Sequence, residues 1–177
     1  GEPEPALAEL EKYFDAQLQS KGREAYQLLK DLLISLERED ELISRLEELH
    51  QKDHRNAFLS YFLADEYAQR DELDKSLALY TQTLGTTTDP RGLIGLMPVY
   101  RKLQKSPELL EVLGKVYPQI PEERSPEDLQ KLPPEARLLI QRYDEEFDAL
   151  AKDSGAMDGL MKLGKEREAT SPPDIEL

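Results

Sequence analysis

Cysteine and tryptophan are absent from the 177-residue chain, and it holds only two histidines and a single asparagine. Without cysteine there is no disulfide, no thiolate metal site and no thiol nucleophile, and the redox compartment is left open. Glycine is sparse at nine residues, and none of it forms a phosphate-cradling loop or a dinucleotide fingerprint. The longest uncharged stretch, Ser76 to Thr88, is too short and too polar to cross a bilayer, which takes about 20 apolar residues. Positive charge is the scarce sign. The formal net charge is −14, and such a surface repels phosphate backbones and anionic membranes, so neither nucleic-acid binding nor membrane insertion is expected. No secretory signal is read, and the first residue is Gly1 rather than Met. A processed start or a fragment is therefore expected, with the cytoplasm favoured and a mature extracytoplasmic form as the alternative.

What the chain does have is periodicity. Apolar residues make up 38% and charged residues 34%, a balance that suits helices with a large solvated surface. In the stretch LADEYAQRDELDKSLALYTQTL, Leu63, Tyr67, Leu77, Tyr80 and Thr83 mark five spaced positions. Moving back 34 residues finds Leu29, Leu33, Ile43, Leu46 and Leu49, and moving forward 33 finds Leu96, Tyr100, Leu110, Leu113 and Val116. All ten flanking positions are apolar, where this composition gives fewer than half by chance. The hairpin is therefore one of three units.

Punctuation repeats at the same phase. Gly22, Asn56 and Asp89 precede Arg23, Ala57 and Pro90, and Asn, Asp and a first-turn Pro are helix-start signals. Polar turns at Glu37–Glu39, Gln69–Glu72 and Gln104–Ser106 separate the two helices of each unit, and Ser106-Pro107 reads as a cap followed by Pro. Outside the units, a helix is expected over 4–20, with Leu7, Leu10, Phe14 and Leu18 on one face. Beyond them, Ser125-Pro126 starts a short helix, Glu135–Asp153 a long one and Ala156–Glu168 a last one. Residues 169–177 read as a flexible tail.

A two-helix unit of about 34 residues resembles the tetratricopeptide repeat. Leu63, Ala64, Tyr67 and Tyr80 carry the resemblance, with Ser76 where the family prefers Ala and Pro90 near its closing Pro. It covers residues 23–122. Repeat one departs from the pattern at Lys30, and repeat three at Met97. Repeat three also carries Gly92, Gly95 and Pro98 inside its first helix, which is expected to kink or start late. The resemblance implies an all-α fold: a right-handed superhelix of antiparallel helix pairs, an α-solenoid with N- and C-terminal capping helices. The domain expected is a single one over 1–168, with repeats at 23–56, 57–89 and 90–122 and capping helices over 125–168. A fourth, degenerate repeat over 135–168 stays open.

The resemblance also implies where a partner binds. The family's groove positions fall on Phe58, Tyr61, Asp65, Ala68 and Gln69 in repeat two. In repeat three they fall on Arg91, Ile94, Pro98, Arg101 and Lys102. Phe58 and Tyr61 are aromatics beyond what Leu63 and Tyr67 require for the hairpin core. Pro90 to Ser106 holds Arg91, Arg101, Lys102 and Lys105 and no acid. Such a groove suits an acidic or C-terminal peptide; the competing reading is that the aromatics are core and the cations balance nearby acids. The family's two-asparagine carboxylate clamp is absent, since Asn56 is assigned to a cap.

No reaction is legible. His50 and His54 lie four apart with no third ligand and read as structural. The acidic runs read as solvated faces, and of the Ser-Pro sites only Ser171 lacks a structural account. The expectation is a non-enzymatic interaction module or scaffold without cofactor or metal. The alternatives are an accessory domain of a larger enzyme or of an envelope or secretion assembly and, more remotely, a hydrolase using surface acids.

Overall fold

The computed structural model describes residues 2–16, 20–87, 89–121, 125–159 and 161–162. All regular structure among them is helical, and no strand is present. Leu18, residues 163–168 of the expected last helix, Ser171 and the expected tail lie outside the described residues; 154–159 are helical. The contacts fall into two compact units, Gly1–Gly95 and Leu96–Leu177, and the division lies inside one helix.

The first unit opens with α1 (Pro3–Ala16), which packs on α2 (Arg23–Ser35). A single 3-10 turn, Glu39–Glu41, leads into α3 (Leu42–Lys52), followed by α4 (Ala57–Gln69) and α5 (Leu73–Leu84). Helix α4 lies along α5 and also touches α2 and α3. It is apolar nearly all round, with Leu59, Phe62, Leu63 and Ala64 each at most 3% exposed. A helix with that pattern belongs in the middle of a stack. Helix α6 (Pro90–Lys102) starts in this unit and ends in the second. There follow α7 (Ser106–Val116), α8 (Pro126–Lys131) and α9 (Pro134–Lys152), with α9 packed on α7.

The expected first-helix starts are observed: α2, α4 and α6 begin at Arg23, Ala57 and Pro90, and each is 13 residues long. Asn56 caps α4 by accepting from the Phe58 and Leu59 amides at 3.1 and 3.3 Å, and Asp89 accepts from the Arg91 amide at 3.0 Å. Ser125 caps α8 in the same way. Ser106 does not cap: α7 already includes it, and no side chain bonds the free amides there. Helix α6 starts at Pro90 and runs through Pro98 without a break, so the expected late start is not seen.

The ends of the first helices repeat more closely than the sequence does. Among the described residues, the non-glycine residues with positive φ are Glu37 (58°), Asp71 (62°) and Gln104 (55°), spaced 34 and 33 apart. Each is the second residue past a first helix. Behind each, the next amide bonds back to the third-last helical carbonyl: Arg38 N to Leu33 O at 2.8 Å, Glu72 N to Tyr67 O at 2.9 Å, Lys105 N to Tyr100 O at 2.9 Å. The left-handed residues themselves bond Ile34, Ala68 and Arg101 carbonyls. These are three Schellman caps, which usually place glycine at the left-handed position. Relieving the Cβ strain there outweighs the entropy that glycine costs. Glu37→Gly and Gln104→Gly are therefore expected to stabilise the chain by about 0.5–1 kcal/mol each, and Asp71→Gly by less, because Asp tolerates this region better. Chemical denaturation of the three variants measures it.

The glycines of α6 have a packing reason. A Cβ on Gly92 would stand 2.7 Å from the Tyr61 hydroxyl and from Leu84 Cδ2. A Cβ on Gly95 would overlap the Tyr80 hydroxyl and ring. What reads as two helix weaknesses is the clearance that lets α6 lie against Tyr61 and Tyr80.

A candidate binding face on the first helices

Within the first unit, polar side chains tie the first helices to one another. Arg23 of α2 reaches Asp65 of α4 at 3.2 Å, and Asp65 also accepts from the Tyr80 hydroxyl. Lys30 of α2, which departs from the family pattern, lies 2.7 Å from Glu66 of α4, a carboxylate in a residue only 3% exposed. Arg70 approaches the other Glu66 oxygen at 3.3 Å. A buried acid is tolerated when cations and hydrogen bonds surround it, so the unusual lysine and the buried glutamate explain one another. A Lys at position 30, with a Glu 36 residues later in α4, is the signal that could have found the pair. Between α4 and α6, the Arg91 guanidinium lies 4.2 Å over the Phe58 ring, and Asp89 holds Arg91 by bonds of 2.9 and 3.0 Å.

The expected partner-binding residues divide by exposure. Phe58 is 37% exposed, with the Arg91 guanidinium over its ring. Gln69 is exposed, although it accepts from Lys30 at 3.1 Å. Asp65 and Arg91 are half-buried and occupied by the pairs above. Tyr61 and Ile94 are buried, at 3% and 8% exposed. Tyr61 stacks on Tyr80 with ring centres 5.9 Å apart, and burial pushes its hydroxyl up to about 12; both residues are core. In the second unit, Arg101 donates to Glu146 at 2.6 Å, and Lys102 is exposed. The cationic run of the sequence is thus matched by acids outside it: Arg91 by Asp89, Arg101 by Glu146 and, at 3.7 Å, Lys105 by Glu108.

Asn56 is fully used. Besides capping α4, its amide donates to the Lys21 carbonyl, the Tyr26 hydroxyl and Asp53 at 2.9–3.1 Å. The histidines lie elsewhere, at the loop ends of the helices. His50, in the last turn of α3, has Nε2 3.1 Å from Ser60 Oγ, and burial first, then His54, lowers its pKa. A cavity of about 380 Å³ opens there, lined by His50, His54, Arg55, Ser60, Leu79, Gln82, Thr83 and Thr86. Sequence reasoning missed it because its two sides lie some 30 residues apart and share no motif.

Among the described residues, no group of three or more His, Cys, Asp or Glu side chains is placed to hold a metal. Likewise, no described helix is long and apolar enough to cross a membrane. Glu41 is pulled down to about 2 by hydrogen bonds from Arg38 and then Arg45, Asp89 is lowered by Arg91, and Asp128 by Ser125. A carboxyl acting as a general acid needs the opposite shift. No family model, characterised protein or solved structure gives a match to this chain.

Proposed function

We propose that the chain is a protein-interaction module of the tetratricopeptide type. In this reading the helix pairs wind into a right-handed superhelix, and the face of the first helices receives a peptide or protein segment. The observation that carries it is the threefold recurrence of a 13-residue helix, a left-handed residue and a Schellman turn at 34- and 33-residue spacing. Stacked repeats build extended concave surfaces of the kind that receive protein segments, and the recurrence supports reading this chain as one of them. The accessible groups are Phe58 with Arg91 stacked on it, Gln69, and Gln27, Leu28 and Asp31 on the outward side of α2. Of the basic run, Arg101 is engaged with Glu146 and Lys102 is exposed. The module needs no cofactor and catalyses nothing.

The test is capture of partners from the chain's own cell extract by the intact chain and by a Phe58→Ala/Gln69→Ala variant. Because Phe58 stacks on Arg91 and Gln69 hydrogen-bonds Lys30, circular dichroism of the variant is recorded alongside to show that it folds. We expect partner recovery to fall by about tenfold or more, the effect of losing one aromatic anchor and a charge-adjacent hydrogen bond. Unchanged recovery by a folded variant would remove this face from the account.

One observation favours a second reading, an accessory domain packing on further chain. The second unit exposes Tyr117 (64%), Phe147 (48%) and Leu110 (43%), and Tyr117, Tyr143 and Phe147 form a run of ring contacts. Apolar surface of this kind is normally covered.

A further inference from the structure

The cleft at the loop ends of α3, α4 and α5 has a chemistry unlike the rest of the surface. None of its described lining residues is acidic, in a chain carrying a net −14. Its volume, about 380 Å³, lies in the range of small-molecule sites. At the rim stand three exposed donors, His54, Arg55 and Gln82. Arg55 has no ion-pair partner among the described residues, while Arg23, Arg38, Arg45, Arg70 and Arg91 are all paired. The acid of the same loop, Asp53, is engaged by the Asn56 amide at 3.1 Å and by the Ser20 hydroxyl at 3.3 Å.

The floor has the opposite character. Ser60 and Thr83 are nearly buried, at 2% and 7% exposed. Their hydroxyl protons are taken by the Asn56 and Leu79 carbonyls, at 3.0 and 2.8 Å. What these hydroxyls have left to offer is lone pairs, with His50 Nε2 3.1 Å from Ser60 Oγ. Leu79 supplies the apolar patch. The α4 amides nearest the cleft are occupied by the Asn56 cap, so the site is not a bare helix end.

We propose that this cleft binds a carboxylate that carries a hydrogen-bond donor beside it. The carboxylate takes the planar fork of Arg55, with His54 and Gln82 alongside; the adjacent N–H or O–H donates to the lone pairs of Ser60 and Thr83; and an apolar substituent rests on Leu79. An N-acyl amino acid, free or at the end of a peptide, has these three parts. A guanidinium fork matches a carboxylate bidentately, and its planar two-oxygen geometry, with a donor and an apolar group beside it, fits the three parts of the cleft together. The site uses none of the residues of the first-helix face, so either can fail without the other.

The experiment is a titration of the full chain followed by ¹⁵N and imidazole chemical shifts. The probes are N-acetyl-leucine, a tetrapeptide ending in free leucine, the same tetrapeptide amidated, and inorganic phosphate. We expect saturable shifts at His54, Arg55, Gln82 and Thr83 with the two free carboxylates and none with the amide. Arg55→Gln, an exposed change, should weaken binding by about tenfold or more. Tighter binding of the tetrapeptide identifies a protein terminus as the ligand, and tighter binding of N-acetyl-leucine a free small molecule. Saturation by phosphate but not carboxylate, equal binding of the amide, or unchanged binding by Arg55→Gln would each overturn the assignment.

Discussion

Replacing Gly95 by alanine should destabilise the chain by about 2–3 kcal/mol, although helix propensity alone predicts a gain of about 1 kcal/mol. The reason is local. The new methyl would overlap the Tyr80 hydroxyl and ring, and Tyr80 cannot retreat: it is 1% exposed, stacked on Tyr61 and hydrogen-bonded to Asp65. In a chain of this size such a loss lowers the melting temperature by roughly 5–10 °C. Gly114 is the internal control. It lies exposed in α7, where an added Cβ meets nothing within 4 Å, and Gly114→Ala should stabilise by about 0.5–1 kcal/mol. Two identical substitutions in helices thus move in opposite directions, and calorimetry on both decides it. If Tyr80 is the obstacle, Tyr80→Leu with Gly95→Ala will cost less than the sum of the single changes. Simple additivity would show that the clash is not the cause.

The second large effect is expected at Arg101. Glu146 is 1% exposed, with one carboxylate oxygen 2.6 Å from Arg101 Nε and the other 3.8 Å from Arg142. Truncating Arg101 to alanine strips the buried carboxylate of its main partner, and breaking a buried pair costs about 3–5 kcal/mol. Arg101 itself is half exposed, so water screens part of the pair, and about 2–3 kcal/mol is the expected loss. Glu146→Gln in the same background should recover most of it, because the buried charge is then gone. A loss that Glu146→Gln does not reverse would assign Arg101 a different role. Charge reversal at Arg101 is consequently a poor probe of ligand binding.

The parts of this fold that sequence reveals are those written in side-chain type at a fixed phase. Helix starts at Arg23, Ala57 and Pro90 follow from Asn56, Asp89 and the spacing of Leu29, Leu63 and Leu96. The parts it hides depend on what meets what. Glu37, Asp71 and Gln104 adopt the left-handed conformation with no glycine to announce it; the turn is imposed by the helices on either side. Gly92 and Gly95 look like flaws until Tyr61 and Tyr80 are placed opposite them. Lys30 looks like a defect of repeat one until Glu66 is seen beneath it. For the candidate face, the resemblance implies Phe58, Tyr61 and Gln69 alike as groove positions, and of these Phe58 and Gln69 proved to be exposed. The burial of Tyr61 was not legible, because the same periodicity serves a groove and a core, and only the packing of α6 settles which. The cleft at His50 and Arg55 was illegible for the same reason, since it exists only once α5 returns to the loop before α4.

The central claim is that the first helices present the working face. Position-resolved photo-crosslinking in the chain's own cell extract tests it most directly. A photoreactive residue is placed singly at Gln27, Phe58 and Gln69 on the first helices, and at Gln51 and Ala78 on the exposed sides of α3 and α5. The account predicts the same adduct at Gln27, Phe58 and Gln69 and none at Gln51 or Ala78. Adducts confined to Gln51 and Ala78, or equal at all five positions, would contradict it.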